Sequence, residues 1–134
     1  DQAARSALIP LKKDSKAVVC IGTGVGAAPL LPILREAKKQ GKKTTMLFGL
    51  RHETDIFWEK ELSHHADSIT ITLSQPPANW QGATGRVTDH IDRFISKENT
   101  YYLCGSVQMV RDIKNTLSAG GILPGEIHFE IFDT

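Results

Sequence analysis

Short apolar runs alternate with segments of helical periodicity from residue 17 to the end of the chain. An uninterrupted apolar run is typical of a strand buried on both faces of a parallel sheet, and a helix between two such runs supplies the crossover that parallel strands need. The predicted strands are residues 17–21, 44–50, 68–73, 101–104 and 126–132, and the predicted helices are residues 30–37, 55–62, 87–95 and 107–117. This alternation predicts an α/β fold, a doubly wound parallel five-stranded sheet with helices on both faces.

Length and composition fit one ordinary globular domain. The chain has 134 residues, of which 40% are hydrophobic and 23% are charged. This length is enough to build one hydrophobic core but not two. No apolar run approaches the roughly 20 residues that span a bilayer, and no signal-peptide pattern is visible. The two cysteines, Cys20 and Cys104, are too few for a disulfide framework. We therefore expect a cytoplasmic protein with no membrane span.

Charge is distributed unevenly along the chain. Basic residues outnumber acidic ones in residues 1–51, and acidic residues dominate afterwards. A basic first half could favour a phosphate-bearing ligand or an acidic protein partner. Its lysines at 38, 39, 42 and 43 could equally decorate a helix end and the start of the next strand, because a helix dipole stabilises cations there.

Several function classes lack their motif. His64 and His65 are adjacent and so face different sides of a helix, which makes a poor metal pair. Cys104-Gly105-Ser106 does not match the serine-hydrolase elbow. No stripe of basic and aromatic residues indicates nucleic-acid binding. We expect no metal site and no nucleic-acid partner.

Ligands of doubly wound sheets bind beyond the carboxyl ends of the strands, where the strand order reverses. The first such loop is Gly22-Thr23-Gly24-Val25-Gly26-Ala27-Ala28-Pro29, in which Gly22, Gly24 and Ala27 satisfy G-x-G-x-x-A. Glycines there let the backbone approach a pyrophosphate at a helix N-terminus, and Pro29 suits a first helical turn. The usual fingerprint also needs an acid after the second strand, where this chain has Arg51. A tight turn without a ligand remains the alternative.

Four motifs occur in order at the strand ends, namely Gly22-Thr23-Gly24 with Pro29, Phe48-Gly49-x-Arg51, Tyr102-x-Cys104-Gly105-x-x-x-Met109, and Glu130-x-Phe132. Together they resemble the pyridine-nucleotide domain of the ferredoxin–NADP⁺ reductase family, and most closely the bacterial reductase components and electron-transfer subunits. The family implies a preceding flavin-binding barrel, of which this sequence shows nothing. On this basis residues 1–16 are a connection from the missing barrel, and residues 17–134 are the NAD(P)-binding domain.

The resemblance implies a role for each matching residue. Gly22, Thr23 and Gly24 would lie against the pyrophosphate and the nicotinamide ribose, with Arg51 near the pyrophosphate. Arg51 could instead form a surface ion pair with Glu53 or Asp55. Cys104 would stand beside the nicotinamide C4, where hydride leaves, and Gly105 and Met109 would line the same edge. Without the resemblance, Cys104 reads as a small buried hydrophobe.

Glu130 and Phe132 match the acid and the aromatic residue near the family's C-terminus, and complete the catalytic set with Cys104. The aromatic commonly covers one face of the flavin ring, yet Asp133 and Thr134 follow it here. Phe132 could instead cap the core.

Ser74 and Gln75 occupy the position where the family reads the adenine ribose. NADPH users tend to place an arginine after the serine, because guanidinium pairs with a 2′-phosphate. Gln75 lacks that charge, so we expect NADH rather than NADPH, unless Arg86 or a lysine substitutes.

The leading hypothesis is an NAD(P)H-binding module of a flavin-dependent oxidoreductase, which passes hydride to FAD (or FMN) on its own N-terminal flavin domain. The electron acceptor would be an iron–sulfur protein or an oxygenase. The alternative is a non-catalytic module that senses NAD(P)H. A self-sufficient dehydrogenase is disfavoured by the missing acid after the second strand and by the lack of a catalytic Tyr/Lys or His/Asp set.

Overall fold

The computed structural model describes residue 11, residues 14–56 and residues 59–132. The strands are β1 (Ala17–Thr23), β2 (Lys43–Leu50), β3 (Ser68–Leu73), β4 (Ala83–Thr84), β5 (Asn99–Gly105) and β6 (Ile127–Ile131). The helices are α1 (Leu30–Lys39), α2 (Glu59–His65) and α3 (Val107–Ala119). None of the helices in this part of the chain has both the length and the apolar character needed to cross a membrane.

The strands form one sheet in the order β4-β3-β2-β1-β5-β6, and every neighbouring pair is parallel. The predicted parallel α/β fold is confirmed, but the predicted number of five strands was wrong. The sixth strand, β4, has two residues and pairs Ala83 with Thr72 and Thr84 with Leu73. Two residues are too few to show a period in the sequence. Trp80 fixes this segment, because its Nε1 donates to the Ala83 carbonyl at 2.8 Å.

Two predicted helices differ in the structure. Residues 87–95 form two short 3-10 turns, Val87–Asp89 and Ile91–Phe94, and no α-helix. The Asp89 carboxylate accepts the Arg86 N–H at 2.8 Å and closes the first turn. Asp55 does not start the second helix, whose described residues are Glu59–His65, but ends a 3-10 turn in which its carboxylate accepts the His52 N–H at 3.1 Å. Such side-chain bonds compete with helix formation.

Helices cover both faces of the sheet, as predicted. Successive side chains of a strand point to opposite faces, so Cys20 and Tyr102 pack under α1 while Ile21 and Leu103 pack under α3. The ring of Tyr101 is completely buried, and its hydroxyl donates to the Phe94 carbonyl at 2.6 Å. The two cores therefore hold the sheet from both sides and leave its carboxyl edge open.

The strand order reverses at β1. The chain moves outward from β1 through β2 and β3 with α1 and α2 on one face, and returns to β5 and β6 with α3 on the other. The loops after β1 and β5 therefore diverge to opposite faces, which opens a crevice between the two strand ends.

Candidate functional site

A cleft of about 820 Å³ lies at the carboxyl edge of the sheet, over the reversal of strand order. Its size is typical of small-molecule and cofactor sites. Each of its walls follows the end of a strand. The lining residues are Thr23, Gly24, Val25, Gly26, Gly49, Leu50, Arg51, His52, Asp55, Ser74, Gly85, Arg86, Val87, Thr88, Gly105, Ser106, Gln108, Met109, Asp112 and Phe132.

The floor of the cleft is built where two backbones touch. A Cβ on Gly26, after β1, would lie 2.6 Å from the carbonyl oxygen of Cys104, at the end of β5. A Cβ on Gly105 would lie 2.7 Å from the Thr23 Oγ1 and 2.5 Å from the Met109 Cε. Real Cβ atoms do not come this close. Position 26 therefore requires glycine, because the backbone carbonyl cannot move aside, whereas a side chain at position 105 would have to displace the Thr23 and Met109 side chains. The two strand ends are therefore in direct main-chain contact across the crevice.

Gly24 needs glycine for a different reason. Its φ is +55°, and a Cβ there would meet nothing within 4 Å. Its backbone therefore turns in the left-handed region, which costs other residues free energy, and it faces open space in the cleft. Because Gly24 has no side chain, a phosphate group can approach the main chain closely in this turn, which precedes α1.

Two exposed arginines supply positive charge to the lining of the cleft. Arg51 follows β2, and Arg86 follows β4. Among the described residues, neither guanidinium forms an ion pair that would neutralise it, so the alternative for Arg51, a surface ion pair with Glu53 or Asp55, is not seen there. Ser74 lies near them and is tied to β2, because its N–H donates to the Leu50 carbonyl at 3.0 Å. This wall suits a phosphate-bearing ligand.

Cys104 lies behind the cleft rather than in its lining. Its side chain is completely buried in the core under α1, directly opposite Glu130 in the β5–β6 register. Burial, and next the nearby Glu130 carboxylate, raise the pKa of the Cys104 thiol to about 12. The thiol is thus neutral at physiological pH and is no nucleophile. Its carbonyl, through Gly26, and its neighbour Gly105 shape the cleft floor.

Phe132 has a place both in the core and at the cleft. Its N–H donates to the Gly105 carbonyl at 2.9 Å, and its half-buried ring packs against the core under α1 while lining the cleft. Capping the core and covering an edge of the site are therefore compatible roles. Glu130 is half-buried and does not line the cleft.

Seven residues predicted for the site line the cleft together, namely Thr23, Gly24, Arg51, Ser74, Gly105, Met109 and Phe132. Five do not line it, namely Gly22, Pro29, Gln75, Cys104 and Glu130. Gly22 lies one layer below, where a Cβ would meet the Leu30 Cδ1 at 2.9 Å. Pro29 is the N-cap of α1 and Gln75 is exposed.

Sequence reasoning missed two walls of the cleft. Gln108 and Asp112 of α3 lie one turn apart, and the Gln108 amide donates to the Asp112 carboxylate at 2.9 Å. Their spacing of four residues indicates that they share one face of the helix, and this could have been recognised in the sequence. In the segment from Gly85 to Thr88 only Arg86 was anticipated, as a substitute cation for a 2′-phosphate, and the other residues were missed because the strand that positions the segment has two residues.

Comparison with known proteins decides the family. Residues 20–115 match the family described as "Oxidoreductase NAD-binding domain". The chain belongs to this family. The ferredoxin–NAD(P)⁺ reductase component of the naphthalene 1,2-dioxygenase/salicylate 5-hydroxylase systems of a Ralstonia species is 33% identical over 124 residues, which cover 86% of this chain and 38% of that protein. The resemblance to the ferredoxin–NADP⁺ reductase family is confirmed.

Two further similarities agree with this assignment. The electron transfer subunit of dihydroorotate dehydrogenase B (NAD⁺) of Fusobacterium nucleatum is 27% identical over 120 residues, which cover 87% of this chain and 44% of that protein. The ferredoxin reductase in carbazole 1,9a-dioxygenase shares the fold, with a TM-score of 0.78 and 22% identity over 89% of this chain and 38% of that one. The chain thus spans less than half the length of these relatives. Each is a reductase or an electron-transfer subunit, so the alternative of a non-catalytic sensor has no support.

The residues present fit the nicotinamide dinucleotide that defines the oxidoreductase NAD-binding domain. The Gly26–Cys104 contact removes side chains from the place where a dinucleotide would cross from one half of the sheet to the other. Arg51 and Arg86 offer charge for phosphates, and Met109 and Phe132 offer an apolar edge for a ring. The cofactor class is NAD(P)H.

Proposed function

We propose that this chain is the NAD(P)H-binding module of a flavin-dependent reductase, whose flavin is carried by a preceding domain. The observation that carries the proposal is the cleft over the strand reversal, with bare main chain on its floor and two arginines on its wall. When bound, the dihydronicotinamide supplies a hydride from C4 to the flavin. The protein binds and orients the cofactor.

Each part of the cleft has a task in this proposal. Thr23 and Gly24 hold the pyrophosphate against the turn after β1, and Arg51 balances its charge. Gly105 and Met109 carry the nicotinamide at the end of β5. Phe132, anchored through its backbone to Gly105, shields the outer edge of the ring from water.

Cys104 and Glu130 act as positioning residues in this proposal. The buried thiol supports the strand end that carries Gly105, and the Glu130 carboxylate stands opposite it in β6. The raised pKa of the thiol favours its neutral form, so the side chain contributes shape and not charge. The distance and angle of hydride transfer then depend on how firmly the end of β5 is held.

The domain division follows from the same proposal. Residues 1–16 connect the preceding flavin domain, and residues 17–134 form the NAD(P)H module; positions 1–10, 12–13, 57–58 and 133–134 of that division lie outside the described residues. The longer relatives, which include a reductase component and an electron transfer subunit, support a larger protein. Its acceptor would be an iron–sulfur protein or an oxygenase, and the free thiols of Cys20 and Cys104 suit the cytoplasm.

Two measurements test the proposal. The 134-residue chain should purify without colour and bind NADH in a calorimetric titration, because the cleft is complete within it. The complete protein should carry one flavin, and mixing with NADH in a stopped-flow instrument should bleach it. A stoichiometric, tightly bound flavin in the 134-residue chain would overturn the domain assignment. A complete protein whose flavin is not reduced by NADH or NADPH would overturn the function.

A further inference from the structure

Lys42 is the one charged side chain that is buried among the described residues, with 9% of its surface exposed. An ammonium group taken out of water is costly unless it is hydrogen-bonded. The Lys42 Nζ donates to the carbonyl oxygen of Ser15 at 2.5 Å. Lys42 immediately precedes β2 and Ser15 lies just before β1, so this bond holds the incoming chain at the amino edge of the sheet.

The hydroxyl of Ser15 is held from the other side. It lies 2.5 Å from the Thr100 Oγ1, and the Thr100 Oγ1 donates to the Glu126 carboxylate at 2.8 Å. A threonine hydroxyl has one proton to give, so Ser15 must be the donor to Thr100. Thr100, in β5, is 1% exposed. Ser15, Lys42, Thr100 and Glu126 form what we call the amino-edge lock.

A second anchor lies four residues before Ser15. Leu11 is 8% exposed and belongs to the core under α1, the same cluster that contains Tyr102 and Cys104. The chain ahead of β1 is therefore attached to this domain at an apolar point and at a polar one. An attachment at two points restricts direction as well as position, which a flexible tether does not.

The lock and the cleft are at opposite ends of the strands. β1 has seven residues, so roughly 20 Å separate its two ends at about 3.3 Å per residue. A flavin domain that precedes Ser15 must reach back over this length to meet the nicotinamide. How the connection is held then decides how the two rings align.

We infer that the amino-edge lock positions the preceding flavin domain for hydride transfer, with Lys42 and Thr100 as positioning residues. This inference rests on the proposed function. A lock that only stabilised the fold would change stability, whereas a positioning lock changes the rate of flavin reduction. A misplacement of about 1 Å at the reacting atoms can cost on the order of a hundredfold in rate.

The test uses the complete protein and four variants. Lys42→Met removes the ammonium group, and Thr100→Val removes the hydroxyl at constant shape. Thr100→Ser keeps the hydroxyl and should behave like the wild-type protein. Lys43→Met alters the neighbouring exposed lysine and serves as the matched control. Hydrogen exchange is followed in peptides that contain Ser15, together with the NADH affinity and the rate of flavin reduction at saturating NADH.

In Lys42→Met and Thr100→Val, exchange in the peptides that contain Ser15 and the start of β1 should accelerate, and flavin reduction should slow by about tenfold or more. The NADH dissociation constant should stay within about twofold of wild type, because the cleft is untouched. Faster exchange with an unchanged rate would overturn the positioning role, and unchanged exchange would overturn the lock itself. If Lys42→Met fails to fold, the comparison of Thr100→Val with Thr100→Ser tests the positioning role. If NADH does not reduce the wild-type flavin, the proposed function fails, while the exchange measurement still decides whether Ser15 is anchored.

Discussion

Gly26 and the Cys104 carbonyl meet so closely that a Cβ on Gly26 would lie 2.6 Å from the carbonyl oxygen. Gly26 belongs to the turn after β1, and Cys104 precedes the last residue of β5. The contact therefore joins two strands at the point where the sheet reverses its strand order. It sets the depth of the cleft, because no side chain can stand between the two loops there.

Gly26→Ala should weaken cofactor binding as well as the fold. The added methyl group must push the turn after β1 away from β5, and overpacking of this kind costs about 1–3 kcal/mol. If that strain appears in the complex, the NADH dissociation constant should rise by roughly tenfold or more. Titration calorimetry measures the affinity, and urea unfolding measures the stability.

Gly125→Ala is the matched control for this prediction. A Cβ on Gly125 would meet nothing within 4 Å, and its φ is not in the left-handed region. That variant should bind NADH like wild type. An equal loss of affinity in both variants would show that the Gly26–Cys104 contact does not shape the site.

The choice between NADH and NADPH should depend on the wall that contains Ser74. Gln75 carries no charge to pair with a 2′-phosphate, so wild type should bind NADH at least as tightly as NADPH. Gln75→Arg should shift the preference toward NADPH, because guanidinium and phosphate pair through two hydrogen bonds. Parallel titrations with the two cofactors give the ratio of dissociation constants.

Arg86 provides the check on that prediction, since it lines the same cleft. A clear wild-type preference for NADPH that disappears in Arg86→Leu would mean that Arg86 replaces the missing arginine. The interpretation of Ser74 and Gln75 would then be wrong.

The buried thiol of Cys104 should make stability fall at high pH. Burial and Glu130 raise its pKa from 9.0 to about 12, so between these values the unfolded chain loses the proton and the folded chain keeps it. The contribution of this thiol is therefore fully present below about pH 9 and is lost as the pH rises toward 12. The gap in urea midpoint between wild type and Cys104→Ala should narrow from pH 8 to pH 10.5.

A chemical probe tests the same thiol independently. Iodoacetamide reacts with thiolates, so Cys104 of the folded protein should resist alkylation at about pH 8.5 and react once urea unfolds the chain. Rapid alkylation of the native protein would contradict the burial of Cys104.

The fold was largely predictable because each long strand carries either an apolar run or, as in residues 68–73, an alternation of polar and apolar residues. Runs such as residues 17–21 and 101–104 are hydrophobic on both faces, and this pattern identifies a parallel sheet. β4 was missed since its two residues leave no pattern, and its place depends on the Trp80–Ala83 hydrogen bond. For the same reason the wall around Arg86 could not be assembled from the sequence.

The sequence predicts which strand ends surround the cleft, but it predicts less well which side chains face into it. The topology brings Thr23, Arg51 and Gly105 to the carboxyl edge of the sheet, independently of how their side chains are oriented. Which side chains face the cleft depends on packing: Cys104 turns into the core under α1, while its neighbour Gly105 reaches the cleft. The pleat of β5 dictates that neighbouring residues face opposite sides. Which of the two residues faces the cleft can be seen only in the structure.

Under the proposed function, Cys104→Ala in the complete protein should slow flavin reduction more than it weakens cofactor binding. The thiol supports the end of β5 that carries Gly105, and an alanine leaves a small cavity there. The NADH dissociation constant should change by less than about threefold, because the pyrophosphate and adenosine contacts lie elsewhere. Stopped-flow reduction at saturating NADH should slow by about tenfold or more, since small errors in transfer geometry cost rate steeply.

Cys20→Ala separates this effect from a general loss of packing. Cys20 is equally buried in the same core, but it lies in the middle of β1, away from the strand end. Both variants should lose about 1 kcal/mol of stability for the missing sulfur atom. If both variants reduced the flavin at the same rate as wild type, Cys104 would be a core residue only. If Cys20→Ala slowed reduction as much as Cys104→Ala, the effect would belong to the core and not to the end of β5.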